Sequence, residues 1–156
     1  EDTAPGRRLW FAGHFDMENR LLEIIGRGFY RSHNAVPITK RPGAFNRELV
    51  RRVGPLFEHG DLLHMYPEGR QYPDFDPIRL LHTGTAHFAR RFNKPIIPYY
   101  IFGATSWKIG QQVEVAFGPP ITPHGKTKEE ITQELLSAMT LLQRSVKEKP
   151  SVQHPI

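Results

Sequence analysis

Short apolar runs alternate along this chain with stretches of helical periodicity, and this alternation limits the fold more than any other feature. The runs predict strands at residues 9–12, 36–39, 62–66, 95–102 and 113–117. The helical spacing predicts helices at residues 17–29, 45–58, 85–92 and 127–149. Strands separated by helices form right-handed crossovers and a mainly parallel sheet. The sequence therefore predicts an α/β fold, in which helices flank a central, mainly parallel sheet.

Local signals predict how two of the helices begin and continue. Thr127 is followed three residues later by Glu130, a capping box that should start the last helix. Asn46 offers an N-cap to the helix over residues 45–58. Pro55 follows Gly54 inside that helix and should kink or break it, because proline lacks a backbone donor. An apolar stripe along the last helix consists of Ile131, Leu135, Met139, Leu142 and Val146.

The fifth apolar run has the alternation of a strand with one face buried. Val113, Val115 and Phe117 are separated by Glu114 and Ala116. Successive side chains of a strand point to opposite faces, so the three apolar residues share one of them. We expect that face to lie against the core.

Length and composition indicate one domain without metal or disulfide. A chain of 156 residues can bury about 68–70% of the surface that its unfolded state exposes. We predict a flexible lead-in over residues 1–8, a domain over 9–149 and a tail over 150–156. The absence of cysteine excludes disulfides, a thiolate nucleophile and cysteine-based zinc sites. Histidine spacing fits no zinc helix with an acidic third ligand, so we predict no metal.

The net charge of +5 and the pI near 9.7 leave several partners open. The charge is typical of a solvated basic surface, and equally of attraction to an anionic membrane or a phosphorylated substrate. The aromatic residues do not interleave with lysine and arginine as a base-stacking surface requires, so we predict no nucleic-acid partner. No apolar run approaches the roughly 20 residues that span a bilayer. Membrane contact by this chain should be peripheral, with an anchor upstream left open.

The apolar run at residues 62–66 breaks abruptly into Pro67-Glu68-Gly69-Arg70. A strand that enters a Pro/Gly turn ends its pairing there. The turn then presents an acid and a base at the carboxyl end of the strand, where open α/β sheets bind ligands. Taken alone, it is also typical of an ordinary surface turn with an exposed ion pair.

Together with two companion stretches, this turn resembles the glycerolipid acyltransferases, the family that includes lysophosphatidate acyltransferase and tafazzin. The matched blocks are Val36-Pro37-Ile38 with Lys40 or Arg41, Tyr66-Pro67-Glu68-Gly69-Arg70, and Pro95-Ile96-Ile97-Pro98. Residues 84–89 and 113–121 are similar to two further family segments. The resemblance covers roughly residues 9–145. Two departures stand out: Arg70 directly follows the glycine without the usual threonine, and Lys40 occupies a place where arginine is usual.

One family block has no counterpart here. It is Asn-His followed four residues later by Asp, and its histidine is the general base. His14 with Asp16 has the wrong interval, and we interpret the pair as polar residues in a turn. His82 and His87 flank the predicted helix start at Gly84, and we interpret both as packing or capping residues. The expected position of the block precedes residue 1, so we expect an N-terminally incomplete chain, inactive alone, with no catalytic residue visible.

The resemblance implies transfer of a fatty acyl group from a thioester to a hydroxyl of a lysophospholipid or glycerol phosphate. Acyl-CoA or acyl carrier protein would be the co-substrate, with no cofactor. The implied place of action is the cytoplasmic face of a membrane, with peripheral attachment. The implied acceptor and phosphate contacts are Lys40, Arg41, Glu68, Gly69 and Arg70. The residues with an implied structural role around an acyl or acceptor pocket are Pro67, Pro95, Ile96, Ile97 and Pro98.

A second interpretation is a non-catalytic, acyltransferase-like module that binds phospholipid or an acyl carrier. An Asn-His block upstream in the parent gene would decide for the enzyme. A genuine start near Glu1 would favour the binding module.

Overall fold

The computed structural model describes residues 7–14, 34–38, 44–69, 78, 80–103 and 113–147. Its strands are β1 (Leu9–His14), β2 (Ala35–Ile38), β3 (Leu62–Met65), β4 (Tyr99–Phe102) and β5 (Glu114–Phe117). Its helices are α1 (Ala44–Glu58), α2 (Gly84–Phe92) and α3 (Lys128–Lys147). These elements form two compact units, one up to Tyr66 and one from Pro67. The predicted helix at 17–29 and the tail lie outside the described residues, and the predicted domain limits stay a prediction.

The first unit is a parallel three-stranded sheet covered by a helix. The strand order is β2-β1-β3, and Ala12 of the central strand pairs with Val36 on one side and Met65 on the other. Helix α1 packs against both outer strands. Among the described residues of this unit, the buried apolar ones are Ala12, Val36, Leu49 and Val53. The predicted parallel sheet with flanking helices is confirmed.

Helix α1 differs from the sequence prediction at its start and at its proline. It begins at Ala44, so Asn46 lies inside the first turn, and its assignment as N-cap is wrong. Pro55 does not break the helix, which continues to Glu58. An interior proline costs about 3 kcal/mol. Full burial of Leu49 and Val53 contributes about 1.5–3 kcal/mol each and offsets that cost.

Asp61 ties the start of β3 to the start of β1. Its Oδ1 accepts a hydrogen bond from the Arg8 backbone N–H at 2.9 Å, and its Oδ2 accepts one from Trp10 Nε1 at 2.8 Å. His59 Nδ1 lies 3.0 Å from Oδ1. These contacts, the Arg8 bond first, outweigh burial and lower the pKa of Asp61 to about 2. The folded state therefore favours the ionised carboxylate.

We predict that acid destabilises the protein through Asp61. A carboxyl whose pKa is lowered on folding stabilises the protein above its ordinary pKa of 3.8, and this contribution disappears as the pH falls toward 2. Asp61→Asn should lower the urea midpoint at neutral pH and flatten its fall between pH 4 and about 2. Glu58→Gln, at an exposed position, should keep the wild-type profile. Identical profiles for Asp61→Asn and wild type would contradict the assignment.

The second unit is built around helix α3 and an antiparallel pair of strands. Strand β4 pairs with β5, and Ile96 and Ile121 exchange two further backbone hydrogen bonds at 2.8 and 2.9 Å. The Thr127 N–H donates to the Glu130 carboxylate at 2.6 Å and the Glu130 N–H to Thr127 Oγ1 at 3.2 Å, which confirms the capping box. The core consists of Leu81, Ala86, Ile121, Ile131, Leu135 and Met139.

The face of strand β5 that is turned toward the core is the opposite of the one expected. Glu114 and Ala116 are half-buried, whereas Val115 and Phe117 are exposed, so the expectation of a core-facing apolar side is wrong. Register explains the reversal: Ala116 lies opposite Tyr100, whose hydroxyl accepts a hydrogen bond from Gln143 of α3 at 3.1 Å. Close approach to the helix therefore selects a small residue. The large apolar side chains occupy the other face.

Burial along α3 predicts the effect of shortening its side chains. Ile131→Ala should lower the free energy of unfolding by about 2–5 kcal/mol, because it leaves a cavity in the core. Leu141→Ala lies on the exposed side of the same helix and should change it by less than about 0.5 kcal/mol. Chemical denaturation of both variants tests this. Equal losses would contradict the described packing of α3.

Candidate functional site

The Pro-Glu-Gly turn begins two residues after the end of β3. Pro67 and Glu68 form the turn, and Gly69 has a φ of +71°, in the left-handed region that side chains disfavour. The His82 N–H donates a hydrogen bond to the Pro67 carbonyl at 2.8 Å. The turn is therefore fixed by a backbone bond to the segment that leads into α2.

The His82 imidazole occupies the space beside Gly69 that a side chain would need. A Cβ atom at position 69 would lie 2.9 Å from His82 Cδ2 and 3.0 Å from Nε2. Glycine is thus favoured twice, by its backbone conformation and because a side chain would have to displace the exposed imidazole. Nothing local in the sequence links the two positions, so this contact could not be predicted.

Glu68 lies in a partly dehydrated setting. Its side chain is half-buried, and burial raises its pKa above the ordinary value of 4.5. A carboxylate with a raised pKa is a stronger base, and its negative charge repels phosphate. The residue is therefore better suited to accept a hydrogen bond from a hydroxyl group than to bind a phosphate.

The structure describes only some of the other predicted site residues. Lys40, Arg41 and Arg70 lie outside the described residues, so their contacts stay predictions. Near β4, Ile96 packs against the core and Pro98 is buried, whereas Pro95 and Ile97 are exposed. Their place around an acyl or acceptor pocket also stays a prediction. His14 ends β1, but its side chain and Asp16 lie outside the description.

The two histidines near α2 have different surroundings. His87 packs edge-on against Phe88, with ring centroids 5.6 Å apart. Burial, followed by the nearby charges of Lys128, Arg91 and Arg90, lowers the pKa of His87. These contacts agree with a packing role. His82 differs, because its backbone and ring both meet the Pro-Glu-Gly turn.

The described residues contain neither a metal-binding cluster nor a membrane-spanning helix. No three histidine, aspartate or glutamate side chains in the described ranges could hold a metal ion together. None of the described helices is long and apolar enough to cross a membrane.

Comparison with known proteins supports the acyltransferase resemblance at the level of fold. No family model matches the chain. N-acylphosphatidylethanolamine synthase of Arabidopsis thaliana is 33% identical over 69 residues, which span 44% of this chain and 23% of that relative. The crystal structure of the 1-acyl-sn-glycerophosphate (LPA) acyltransferase PlsC from Thermotoga maritima matches with a TM-score of 0.61 and 16% identity. It covers 93% of this chain and 68% of its own, so the two share an acyltransferase-like fold.

The contact at Gly69 predicts an unequal response of two glycines. Gly69 and Gly125 have the same φ of +71°, but nothing lies within 4 Å of a Cβ at 125. Gly125→Ala should cost about 1–2 kcal/mol of backbone strain. Gly69→Ala should cost about 0.5–1.5 kcal/mol more, because the imidazole must leave its rotamer.

A double variant separates the two causes. Adding His82→Ala to Gly69→Ala should recover the extra loss but not the backbone strain. Urea unfolding of these three variants and the wild type measures both the backbone strain and the extra loss. Equal losses at 69 and 125, without recovery, would show that the ring does not constrain the turn.

Proposed function

We propose that the protein is a glycerolipid acyltransferase that moves an acyl group from a thioester to a hydroxyl of a lysophospholipid or glycerol phosphate. The observation that carries the proposal is the Pro67-Glu68-Gly69 turn after β3, in a chain that shares the PlsC fold. The match to N-acylphosphatidylethanolamine synthase supports it, since that name also describes acylation of a phospholipid. Its place of action would be the membrane surface where such acceptors lie, on the cytoplasmic side.

In this reaction the acceptor oxygen attacks the thioester carbonyl carbon. A C–O bond forms, the C–S bond breaks, and the thiol leaves with the proton that the hydroxyl gives up. An alcohol is a poor nucleophile, and a positioned base typically contributes about 10²–10⁴-fold. Holding the acceptor makes the attack effectively intramolecular. We assign the holding step to this chain and leave the base unassigned.

Glu68 and Arg70 have complementary parts in that step. Glu68 accepts a hydrogen bond from an acceptor hydroxyl, for which its half-buried setting and raised pKa are suited. Arg70 contacts the phosphate, because a charge-assisted hydrogen bond from a guanidinium contributes about 1.5–3 kcal/mol. Lys40 or Arg41 supplies a further positive charge. A lysine there cannot bind the phosphate in a bidentate manner.

Arg70 provides the sharpest test of the acceptor site. Arg70→Ala should weaken lysophosphatidate binding by about 1–3 kcal/mol, roughly 5- to 150-fold, and leave acyl-CoA binding unchanged. Arg144→Ala removes an exposed arginine of α3 and serves as the charge-matched control. Calorimetric titration measures both ligands. Unchanged acceptor affinity, or equal weakening of both ligands, would remove Arg70 from the phosphate site.

Product formation distinguishes the enzyme from a non-catalytic module that binds the same lipids. The complete polypeptide encoded by the gene is incubated with acyl-CoA and lysophosphatidate, and phosphatidate is measured by mass spectrometry. Phosphatidate formation faster than in the absence of protein supports the enzyme function. Binding of both lipids without product supports the module.

A further inference from the structure

One face of the β4–β5 sheet is apolar and partly open to water. It carries the half-buried Tyr99 and Ile101 on β4 and the exposed Val115 and Phe117 on β5, which the register places opposite one another. Ile97 and Val113 extend it, one on each flank. Ile97, Val113, Val115 and Phe117 are 51%, 54%, 44% and 68% exposed. Single exposed apolar residues are common, but a contiguous group on one sheet face is typical of a binding surface.

Helix α3 cannot cover this face, because it already covers the other one. Tyr100 accepts a hydrogen bond from Gln143 of α3, and a Cβ on Gly118 would contact Leu142 Cδ1 of the same helix at 3.5 Å. Alternation along the strands then turns Tyr99 and Phe117 away from the helix, with ring centroids 5.8 Å apart. Among the described residues of the two strands, the only charged one, Glu114, lies on the helix side.

A basic segment leads into this face along the chain and indicates its partner. Residues 77–113 contain five basic residues and no aspartate or glutamate, an excess that equals the net charge of the whole chain, +5. Arg90, Arg91 and Lys94 are exposed, and Lys94 comes three residues before Ile97. Asn93 ends α2 in the left-handed conformation, and the chain then continues through Lys94 to Ile97, where the apolar face begins.

We propose that this face docks on an anionic lipid bilayer. Its apolar side chains enter the boundary between headgroups and acyl chains, and Arg90, Arg91 and Lys94 meet anionic headgroups. Tyr99 suits such a boundary, since its ring is apolar and its hydroxyl is polar. A second copy of the chain fits less well, because it would bring two acid-free basic segments together. The inference rests on the proposed function only in taking the acceptor to be a lipid.

Vesicle sedimentation tests the proposal. The chain should bind phosphatidylcholine vesicles that contain phosphatidylserine more tightly than vesicles of phosphatidylcholine alone, and salt should weaken the binding. Phe117→Ser should weaken it about 10- to 100-fold, as expected for one fully buried phenyl ring. Lys94→Ser should weaken it about fivefold, and only with phosphatidylserine present. Leu141→Ser, at a 64% exposed position on α3, is the matched control and should bind like wild type.

Three results would overturn the proposal. In the first, Phe117→Ser and Val115→Ser both bind vesicles as tightly as the wild type. In the second, the wild type does not bind vesicles. In the third, sedimentation velocity shows a dimer that Phe117→Ser dissociates. Circular dichroism checks folding, and Val115→Ser carries the test if Phe117→Ser fails to fold. These vesicles contain no lysophospholipid, so the result is separate from the acceptor site. Vesicle binding by a chain that fails to bind glycerol 3-phosphate would support docking and count against the acyltransferase function.

Discussion

The contact between Gly69 and the His82 imidazole is the constraint on which the candidate site depends. A side chain at position 69 would have to displace this ring, and the bond from the His82 N–H to the Pro67 carbonyl fixes the other end of the same turn. Glu68 is held between these two points in a half-buried position, which raises its pKa. The conformation of the turn and the character of its carboxyl group therefore share one physical cause.

Packing in the second unit gives the two faces of one small sheet different properties. Toward α3 the sheet presents Ala116 and Gly118, which allow close approach, and Tyr100, which bonds to Gln143. Away from α3 it presents large apolar side chains, and a basic segment precedes them along the chain. The side chains that face α3 stabilise the fold, whereas the apolar side chains on the opposite face are the ones that we propose to meet an anionic lipid surface.

Features encoded by neighbouring residues could be predicted from the sequence, and features that depend on distant contacts could not. The capping box at Thr127 and the strand that ends before Pro67 are local, and both were predicted. Tolerance of Pro55 depends on burial of the helix, and the exposed face of β5 depends on its register with β4. The candidate turn was recognised from its residues, but its closure by His82 is a tertiary contact. Lys40, Arg41 and Arg70 lie outside the described residues, so that part of the site rests on sequence.

The most direct test of the central claim is an NMR titration of the ¹⁵N-labelled chain with glycerol 3-phosphate, with glycerol as the uncharged reference. Phosphate binding at the turn should shift the amide signals of Glu68, Gly69 and Arg70 and the imidazole signals of His82. Glycerol at the same concentration should leave them nearly unchanged. Shifts confined to other parts of the chain, or equal shifts with both ligands, would contradict an acceptor site at the Pro-Glu-Gly turn.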